Sequence, residues 1–214
     1  MVNTIIFDFD GTIADTEEVG VNAFNKVSRR FNLPPITEKE INQFKNLGAK
    51  PFMKIFFQTH KLNPLQVPGI ILRVRKEIAK NIKFAKPFAD MPETVKSLKE
   101  SGFQLGILTG NSEENVNVFL QNYYLTGFDF VHSQLDLFGK ARSLRSILRE
   151  LHKKPAEVIY VGDEVRDIEA SHKVGIKAIA VTWGYNTKGL LESAKPDVIV
   201  DNPSQIIDYL LNQL

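Results

Sequence analysis

The 214-residue sequence contains no cysteine. Disulfide bonds, thiolate nucleophiles and cysteine-ligated zinc are therefore excluded. Only four histidines are present, and no two of them lie three or four residues apart, so a helical pair of histidine ligands is absent as well. Any bound metal ion must be held by oxygen atoms or by single histidines.

Long apolar runs and blocks of like charge are also missing. Asp8 and Asp10 interrupt the first apolar stretch, and no basic segment precedes it, which argues against a signal peptide or a membrane span. The 27 Lys and Arg residues nearly balance 25 Asp and Glu residues without forming a dense basic block. We therefore expect a cytoplasmic, soluble protein with neither a nucleic-acid nor a membrane partner. The composition leaves the oligomeric state open.

The sequence does contain six short apolar runs rich in β-branched residues, separated by amphipathic stretches with helical spacing. The predicted strands cover residues 4–9, 103–108, 128–131, 158–161, 177–181 and 198–200. Nearly continuous apolarity, rather than alternation, indicates strands buried on both faces. This pattern predicts an α/β fold with a doubly wound parallel sheet and helices on both faces.

One interval departs from this alternation. More than ninety residues separate the first two predicted strands, whereas a crossover needs only about a dozen. The interval carries four apolar stripes at helical spacing, and breaks fall at Pro34-Pro35 and at Gly48. We therefore expect a helical insertion over residues 17–85 in a core formed by residues 1–16 and 86–214.

Polar residues collect directly after three of the predicted strands. These residues are Asp8 and Asp10 after the first strand, Thr109, Gly110 and Asn111 after the second, and Asp163 and Asp167 after the fourth. Ligands of open parallel sheets bind at the carboxyl ends of the strands, so the three segments are expected to converge there.

Clustered carboxylates repel one another unless a cation neutralises them. Mg²⁺ suits a site made of hard oxygen ligands, and it leaves positions open for water and for a substrate phosphate. Asn111 or Ser112 can cap a following helix whose N-terminus favours an anion. Lys140, at the start of another predicted helix, can supply positive charge to a phosphoryl group. The sequence thus predicts a phosphate site.

These motifs resemble those of haloacid dehalogenase (HAD) superfamily phosphatases, specifically the phosphoglycolate-phosphatase-like group with a small helical cap. The resemblance covers essentially the whole chain. It is carried by Asp-Phe-Asp-Gly-Thr-Ile-Ala-Asp-Thr at 8–16, Leu-Thr-Gly-Asn at 108–111, Lys140, and Tyr-Val-Gly-Asp at 160–163 with Asp167. It implies a Rossmann-like core with an inserted α-helical cap domain.

The resemblance also implies roles for the acidic residues. Asp8 would be the nucleophile that becomes an aspartyl phosphate, and Asp10 would be the general acid and then the general base. Mg²⁺ would be held by the side chain of Asp8, the backbone carbonyl of Asp10 and the carboxylate of Asp163. Asp167 would orient these ligands from a second layer.

The phosphoryl oxygens would be held by Thr109, Gly110, Asn111 and Lys140. Many relatives have Lys-Pro-x-Pro at the lysine motif, whereas Lys140 here is followed by Ala-Arg-Ser. Two other lysines, Lys153 and Lys154, are therefore kept as alternatives.

In the insertion, Gly48, Lys50 and Lys54 lie where relatives place residues that contact the substrate. Two alternatives stay open for these residues: they contact an anionic group of the substrate, or they face solvent.

The expected activity is Mg²⁺-dependent hydrolysis of a phosphoric monoester of a small metabolite, with phosphoglycolate as one candidate. A phosphomutase of the β-phosphoglucomutase type uses the same intermediate, but Gly162-Asp163 in place of the Glu-Asp of such mutases favours hydrolysis. A non-catalytic phosphate-binding regulatory module is a further alternative. Asp10 argues against it, because binding alone needs no proton donor.

Overall fold

The computed structural model of the chain describes residues 1–134 and 139–212. Its strands are β1 (Thr4–Phe7), β2 (Ala14–Asp15), β3 (Lys86–Pro87), β4 (Gln104–Thr109), β5 (Phe130–Ser133), β6 (Val158–Gly162), β7 (Lys177–Val181) and β8 (Val198–Val200). Its helices are α1 (Glu17–Ser28), α2 (Glu38–Leu47), α3 (Ala49–Thr59), α4 (Val67–Asn81), α5 (Met91–Glu100), α6 (Glu113–Asn122), α7 (Lys140–Glu150), α8 (Val165–His172), α9 (Lys188–Ser193) and α10 (Ser204–Leu211).

Six strands form one parallel sheet in the order β5-β4-β1-β6-β7-β8. The strand order reverses direction at β1, which lies between β4 and β6. The other two predicted site segments follow β4 and β6, so all three segments begin at neighbouring strands. The predicted doubly wound α/β fold is thus confirmed. The bounds of the last two strands agree with the sequence prediction, and the others differ by one or two residues at an end.

The largest differences in strand bounds have local hydrogen-bonding causes. The first strand ends at Phe7, two residues early, because the Phe9 carbonyl accepts hydrogen bonds from the backbone N–H groups of the next turn. The third predicted strand lies two residues later, as β5. Asp129, the second residue of the predicted strand, has a carboxylate that accepts from the Leu105 N–H (2.8 Å) and from Lys99.

The two faces of the sheet carry separate apolar cores, as alternation along a strand requires. Ile5 and Phe7 of β1 pack in one core, with residues of α5, α6 and α10. Ile6, between them, packs in another core, with residues of α7 and α8. Tyr160 of β6 is fully buried in this second core. Helices on both faces were predicted from the continuous apolarity of the strands, and the structure confirms them.

Helices α1 to α4 lie between β2 and β3, which pair in antiparallel fashion where the chain leaves and re-enters the sheet region. All four predicted helical stripes form helices. Thr37 caps α2 by accepting from the Glu40 N–H, while Glu40 accepts from the Thr37 N–H in return. Gly48, at φ +75°, ends α2 and begins α3, a conformation that favours glycine.

No helix within residues 1–134 and 139–212 combines the length and the apolarity that a bilayer crossing requires.

A buried carboxylate joins the first and last of these four helices. Glu77 of α4 accepts from Lys80 (2.9 Å) and pairs with Lys26 of α1 (2.7 Å). Hydrogen bonds and charge from these two lysines lower the pKa of Glu77 from 4.5 to about 2.

Because the folded-state pKa is lowered, the stabilisation is fully present above about pH 4.5 and is lost as the pH falls towards 2. Glu77→Gln should therefore lower the free energy of unfolding at pH 7, and the difference from wild type should shrink on acidification to pH 3. Urea titrations at the two pH values measure this. Glu100→Gln, at an exposed pair with Lys96, is the matched control with little effect. A Glu77→Gln difference independent of pH would contradict the assignment.

Candidate active site

The loop after β1 presents two carboxylates at the carboxyl end of the sheet. The Asp8 N–H donates to the Val161 carbonyl (2.8 Å), which extends the pairing of β1 with β6 by one residue and leaves Asp8 almost fully buried. The chain then turns through Gly11, at φ +82°. A Cβ atom at Gly11 would overlap the Asp163 carboxylate, so this turn requires glycine.

Asp163 follows β6 and is fixed by hydrogen bonds to both of its carboxylate oxygens. The Thr12 hydroxyl donates to Oδ1 (2.8 Å) and the Tyr185 N–H donates to Oδ2 (2.7 Å). The loop that carries Tyr185 approaches closely because of Gly184, where a Cβ atom would overlap Asp163 and the Gly11 carbonyl oxygen.

Lys140, the first residue of α7, reaches into the same place. Its Nζ lies 3.0 Å from Asp8 Oδ2 and 2.5 Å from Asp167 Oδ1. Of the alternative lysines, Lys153 donates to Asn3 Oδ1 (2.8 Å), before the start of β1, and Lys154 is exposed. The structure thus brings Lys140, and neither alternative, to Asp8.

Burial controls the protonation of this group. Burial raises the pKa of Asp8 to about 7, although Lys140 opposes the shift. Burial and the neighbouring carboxylates of Glu164 and Asp8 raise the pKa of Asp163 well above its usual range. Burial disfavours the charged form of Lys140, but Asp167 and Asp8 outweigh it and raise the lysine pKa. The ionised forms of Asp8 and Asp163 are therefore disfavoured in this site even with Lys140 present.

These acids suit a divalent cation. Asp8, Asp163 and Asp167 each offer a carboxylate oxygen, and these oxygens lie within 4.8 Å of one another. Lys140 supplies one positive charge to these three carboxylates, and a divalent cation would balance the charge that remains when all three are ionised. Hard oxygen donors in this number fit Mg²⁺. Asp167, the third carboxylate of the cluster, is also bound to Lys140.

Asp10 is held by other partners than Asp8 is. Its Oδ1 accepts from the Thr16 hydroxyl (2.9 Å) and from Asn111 Nδ2 at 3.4 Å, while its Oδ2 lies 3.4 Å from the Thr109 hydroxyl. Burial raises the pKa of Asp10. Asn111 also donates its N–H to the Thr109 hydroxyl (2.9 Å). Ser112, one of the two predicted caps, begins α6 by accepting from Asn115 N–H.

A cavity of about 310 Å³ lies above these residues, between the carboxyl end of the sheet and helices α1 to α4. From the strand ends it is lined by Asp10, Thr16, Gly110, Asn111, Gln134, Lys140, Glu164, Arg166 and Tyr185. From the helices it is lined by Gly20, Phe44, Ala49, Phe52, Met53, Arg75 and Ile78.

The predicted contacts in the insertion lie elsewhere. Lys50 and Lys54 are exposed and do not line this cavity. Each is next in sequence to a residue of α3 that lines the cavity, because neighbouring residues of a helix point to different sides. Gly48 faces the side chain of Asn186 in the loop after β7.

Sequence reasoning missed several polar residues of the cavity, including Arg75, Glu164, Arg166 and Tyr185. Glu164 is buried and pairs with Arg166 (2.5 Å), and both lie inside the motif that ends at Asp167. Their position between two predicted site residues was an available signal. Arg75 and Tyr185 carried none, because each depends on how distant segments pack.

The chain is similar in sequence and fold to known proteins. The family model of haloacid dehalogenase-like hydrolases matches residues 5–181. A phosphoglycolate phosphatase of Synechococcus elongatus is 32% identical, over 96% of each chain. The pyrophosphatase PpaX of Bacillus cereus is 28% identical, over 99% of this chain and 97% of the relative. A solved haloacid dehalogenase-like hydrolase of Streptococcus pneumoniae superposes with a TM-score of 0.83 at 25% identity, over 98% of each chain.

The fold is therefore that of a parallel-sheet hydrolase, with an acidic cluster at the carboxyl end of β1, where the strand order reverses. The chain belongs to the haloacid dehalogenase-like hydrolase family. The predicted resemblance is confirmed, as is the prediction of an enzyme of the phosphatase type.

The close approach at Gly184 leads to a prediction about site geometry. Gly184→Ala should displace Asp163, lower the free energy of unfolding by about 1–3 kcal/mol and sharply reduce turnover. Gly189→Ala is the matched control, since a Cβ atom there meets nothing within 4 Å. Thermal unfolding and phosphate release from p-nitrophenyl phosphate provide the measurements. Equal behaviour of the two variants would show that Gly184 has no such role.

Proposed function

We propose that the chain is a Mg²⁺-dependent phosphatase that hydrolyses phosphoric monoesters of small metabolites through an aspartyl phosphate on Asp8. The observation that carries this proposal is the contact of Lys140 with both Asp8 and Asp167 beneath the cavity. A buried nucleophile beside a fixed cation is the arrangement that phosphoryl transfer needs.

Asp8 attacks phosphorus through a carboxylate oxygen, and the bond from phosphorus to the leaving oxygen breaks. Asp10 gives its proton to that oxygen, which departs as an alcohol. Asp10 then takes a proton from water as the water attacks the phosphoryl group, and the bond between phosphorus and Asp8 breaks to release inorganic phosphate. The different partners of the two carboxyl groups support these different roles, because Asp10 is held by the Thr16 hydroxyl whereas Asp8 is paired with Lys140.

Asp8 and Asp163, with the backbone carbonyl of Asp10, would hold Mg²⁺, and Asp167 would support the group through Lys140. A bound Mg²⁺ would supply charge neutralisation at the phosphoryl oxygens and at Asp8. Thr109, Gly110, Asn111 and Lys140 would hold the phosphoryl oxygens. The positions of Gly110, Asn111 and Lys140 in the cavity wall support this assignment.

Residues 17–85 would act as a cap domain over a core of residues 1–16 and 86–214. Support comes from the paired β2 and β3 at the two chain crossings and from the cavity walls that α1 to α4 provide. A closed cap would exclude water from the transfer step. The cavity, at about 310 Å³, suits a small metabolite.

The names of the relatives suggest phosphoglycolate and pyrophosphate as the first substrates to test. Purified protein should release inorganic phosphate from at least one of a panel containing both, with p-nitrophenyl phosphate as a general probe, and Mg²⁺ should be required. Isomerisation of β-glucose 1-phosphate without phosphate release would instead support a mutase. No turnover of any panel member would contradict the proposal.

Asp8→Asn should lower Mg²⁺-dependent phosphate release by at least about 1000-fold, because an amide oxygen is a poor nucleophile at phosphorus. The thermal unfolding profile should remain that of a folded protein. Asp208→Asn, at an exposed position of α10, is the matched control and should retain full activity. Activity of Asp8→Asn near that of the control would sink the nucleophile assignment.

A further inference from the structure

The end of α2 rests on the loop that follows β7. The Thr187 N–H donates to the Lys45 carbonyl (3.0 Å), and the Thr187 hydroxyl lies 3.4 Å from Asn46 Oδ1. One residue earlier in the helix, the Phe44 ring meets the Tyr185 ring edge-on, with 5.9 Å between centroids. The same loop therefore touches both the helical segment and, through Tyr185, the site.

The other end of the Tyr185 side chain leads to Asp10. Its hydroxyl lies 2.7 Å from Thr16 Oγ1, and Thr16 donates to Asp10 Oδ1. A threonine hydroxyl has a single proton. Because Thr16 gives that proton to Asp10, the Tyr185 hydroxyl must donate to Thr16.

The chain of hydrogen bonds treats the two oxygens of Asp10 differently. Oδ1 accepts a 2.9 Å hydrogen bond from Thr16 and a 3.4 Å one from Asn111, whereas Oδ2 accepts a 3.4 Å hydrogen bond from the Thr109 hydroxyl. The short bond to Oδ1 fixes the plane of the carboxyl group. Oδ2, which is held more weakly, is then the oxygen that carries a proton to a leaving group in the cavity.

We propose that Tyr185 is a positioning residue that orients Asp10 through Thr16 when the end of α2 lies on the loop after β7. The proposal rests on the function proposed above, since it assigns Asp10 the proton transfer to the leaving group. Tyr185 acts through Thr16 and does not itself touch the reacting atoms. The contact with Phe44 makes the orientation of Asp10 depend on closure of the helical segment.

The test compares kcat/KM for two aryl phosphates of similar size. Phenyl phosphate needs a proton on its leaving oxygen far more than p-nitrophenyl phosphate does, because phenoxide is the stronger base. Tyr185→Phe removes only the hydroxyl and keeps the ring and the N–H that binds Asp163. We expect kcat/KM to fall about 10-fold on phenyl phosphate and less than about 3-fold on p-nitrophenyl phosphate. The expected 10-fold loss is a small part of the rate enhancement that general acid catalysis contributes, because Asp10 itself remains in place.

Thr16 provides a second route to the same result. Thr16→Val should give the same dependence on the leaving group, Thr16→Ser should restore near wild-type values, and the double variant Tyr185→Phe/Thr16→Val should lose no more than the worse single variant. Tyr209→Phe, at a partly buried tyrosine of α10, is the matched control and should change neither substrate.

The helical contact is tested separately with Phe44→Leu, which removes the ring edge and leaves the hydroxyls in place. We expect a smaller loss confined to phenyl phosphate. An unchanged value would refute the dependence on α2. Equal losses on both substrates in Tyr185→Phe, or no loss on either, would overturn the positioning role. All of these comparisons start from a wild-type protein whose phosphate release depends on Asp8. If the wild type releases no phosphate, or if its activity does not depend on Asp8, the proposed function fails, and that result is distinct from a failure of the role of Tyr185.

Discussion

The ion pairs of Lys140 with Asp8 and Asp167 are the interaction on which the site depends. A carboxylate buried beside two others is unstable as an anion unless cations lie close to it. Lys140 supplies one positive charge from the first residue of α7. Burial raises the pKa of Asp8 even with the lysine present, and burial together with the neighbouring carboxylates raises that of Asp163. A divalent cation would favour the ionised form of both acids.

The sheet brings these charges together. Strands β4, β1 and β6 are neighbours, and all three run in the same direction, so the residues after their carboxyl ends share one edge. Small residues then allow the loops to approach. Gly11 and Gly184 both face Asp163, and a side chain at either position would occupy the space of its carboxylate. The acidic centre is therefore a product of strand order and of two glycines.

Much of the fold follows from local sequence. Continuous apolar runs are enough to predict buried parallel strands, and helical stripes are enough to predict α1 to α4. Strand ends were less accurate, because they are decided by individual hydrogen bonds such as those of Asp129. The acids at the strand ends could be predicted to lie close together, since the carboxyl ends of parallel strands coincide. The prediction of Lys140 as a site residue also needed the family motif, because a lysine at the start of a helix does not by itself indicate a site.

The cavity walls were harder to predict, for a physical reason. Which face of α3 or α4 meets the sheet depends on how the helical segment packs as a body, and one residue along a helix turns a side chain by about 100°. Lys50 and Lys54 thus face solvent, while Phe52 and Met53 line the cavity. Tyr185 lies 169 residues from Thr16 in sequence. The Tyr185 hydroxyl reaches Thr16 because the loop after β7 lies against the residue that follows β2 and against the end of α2. No pattern within any one of these segments predicts these contacts.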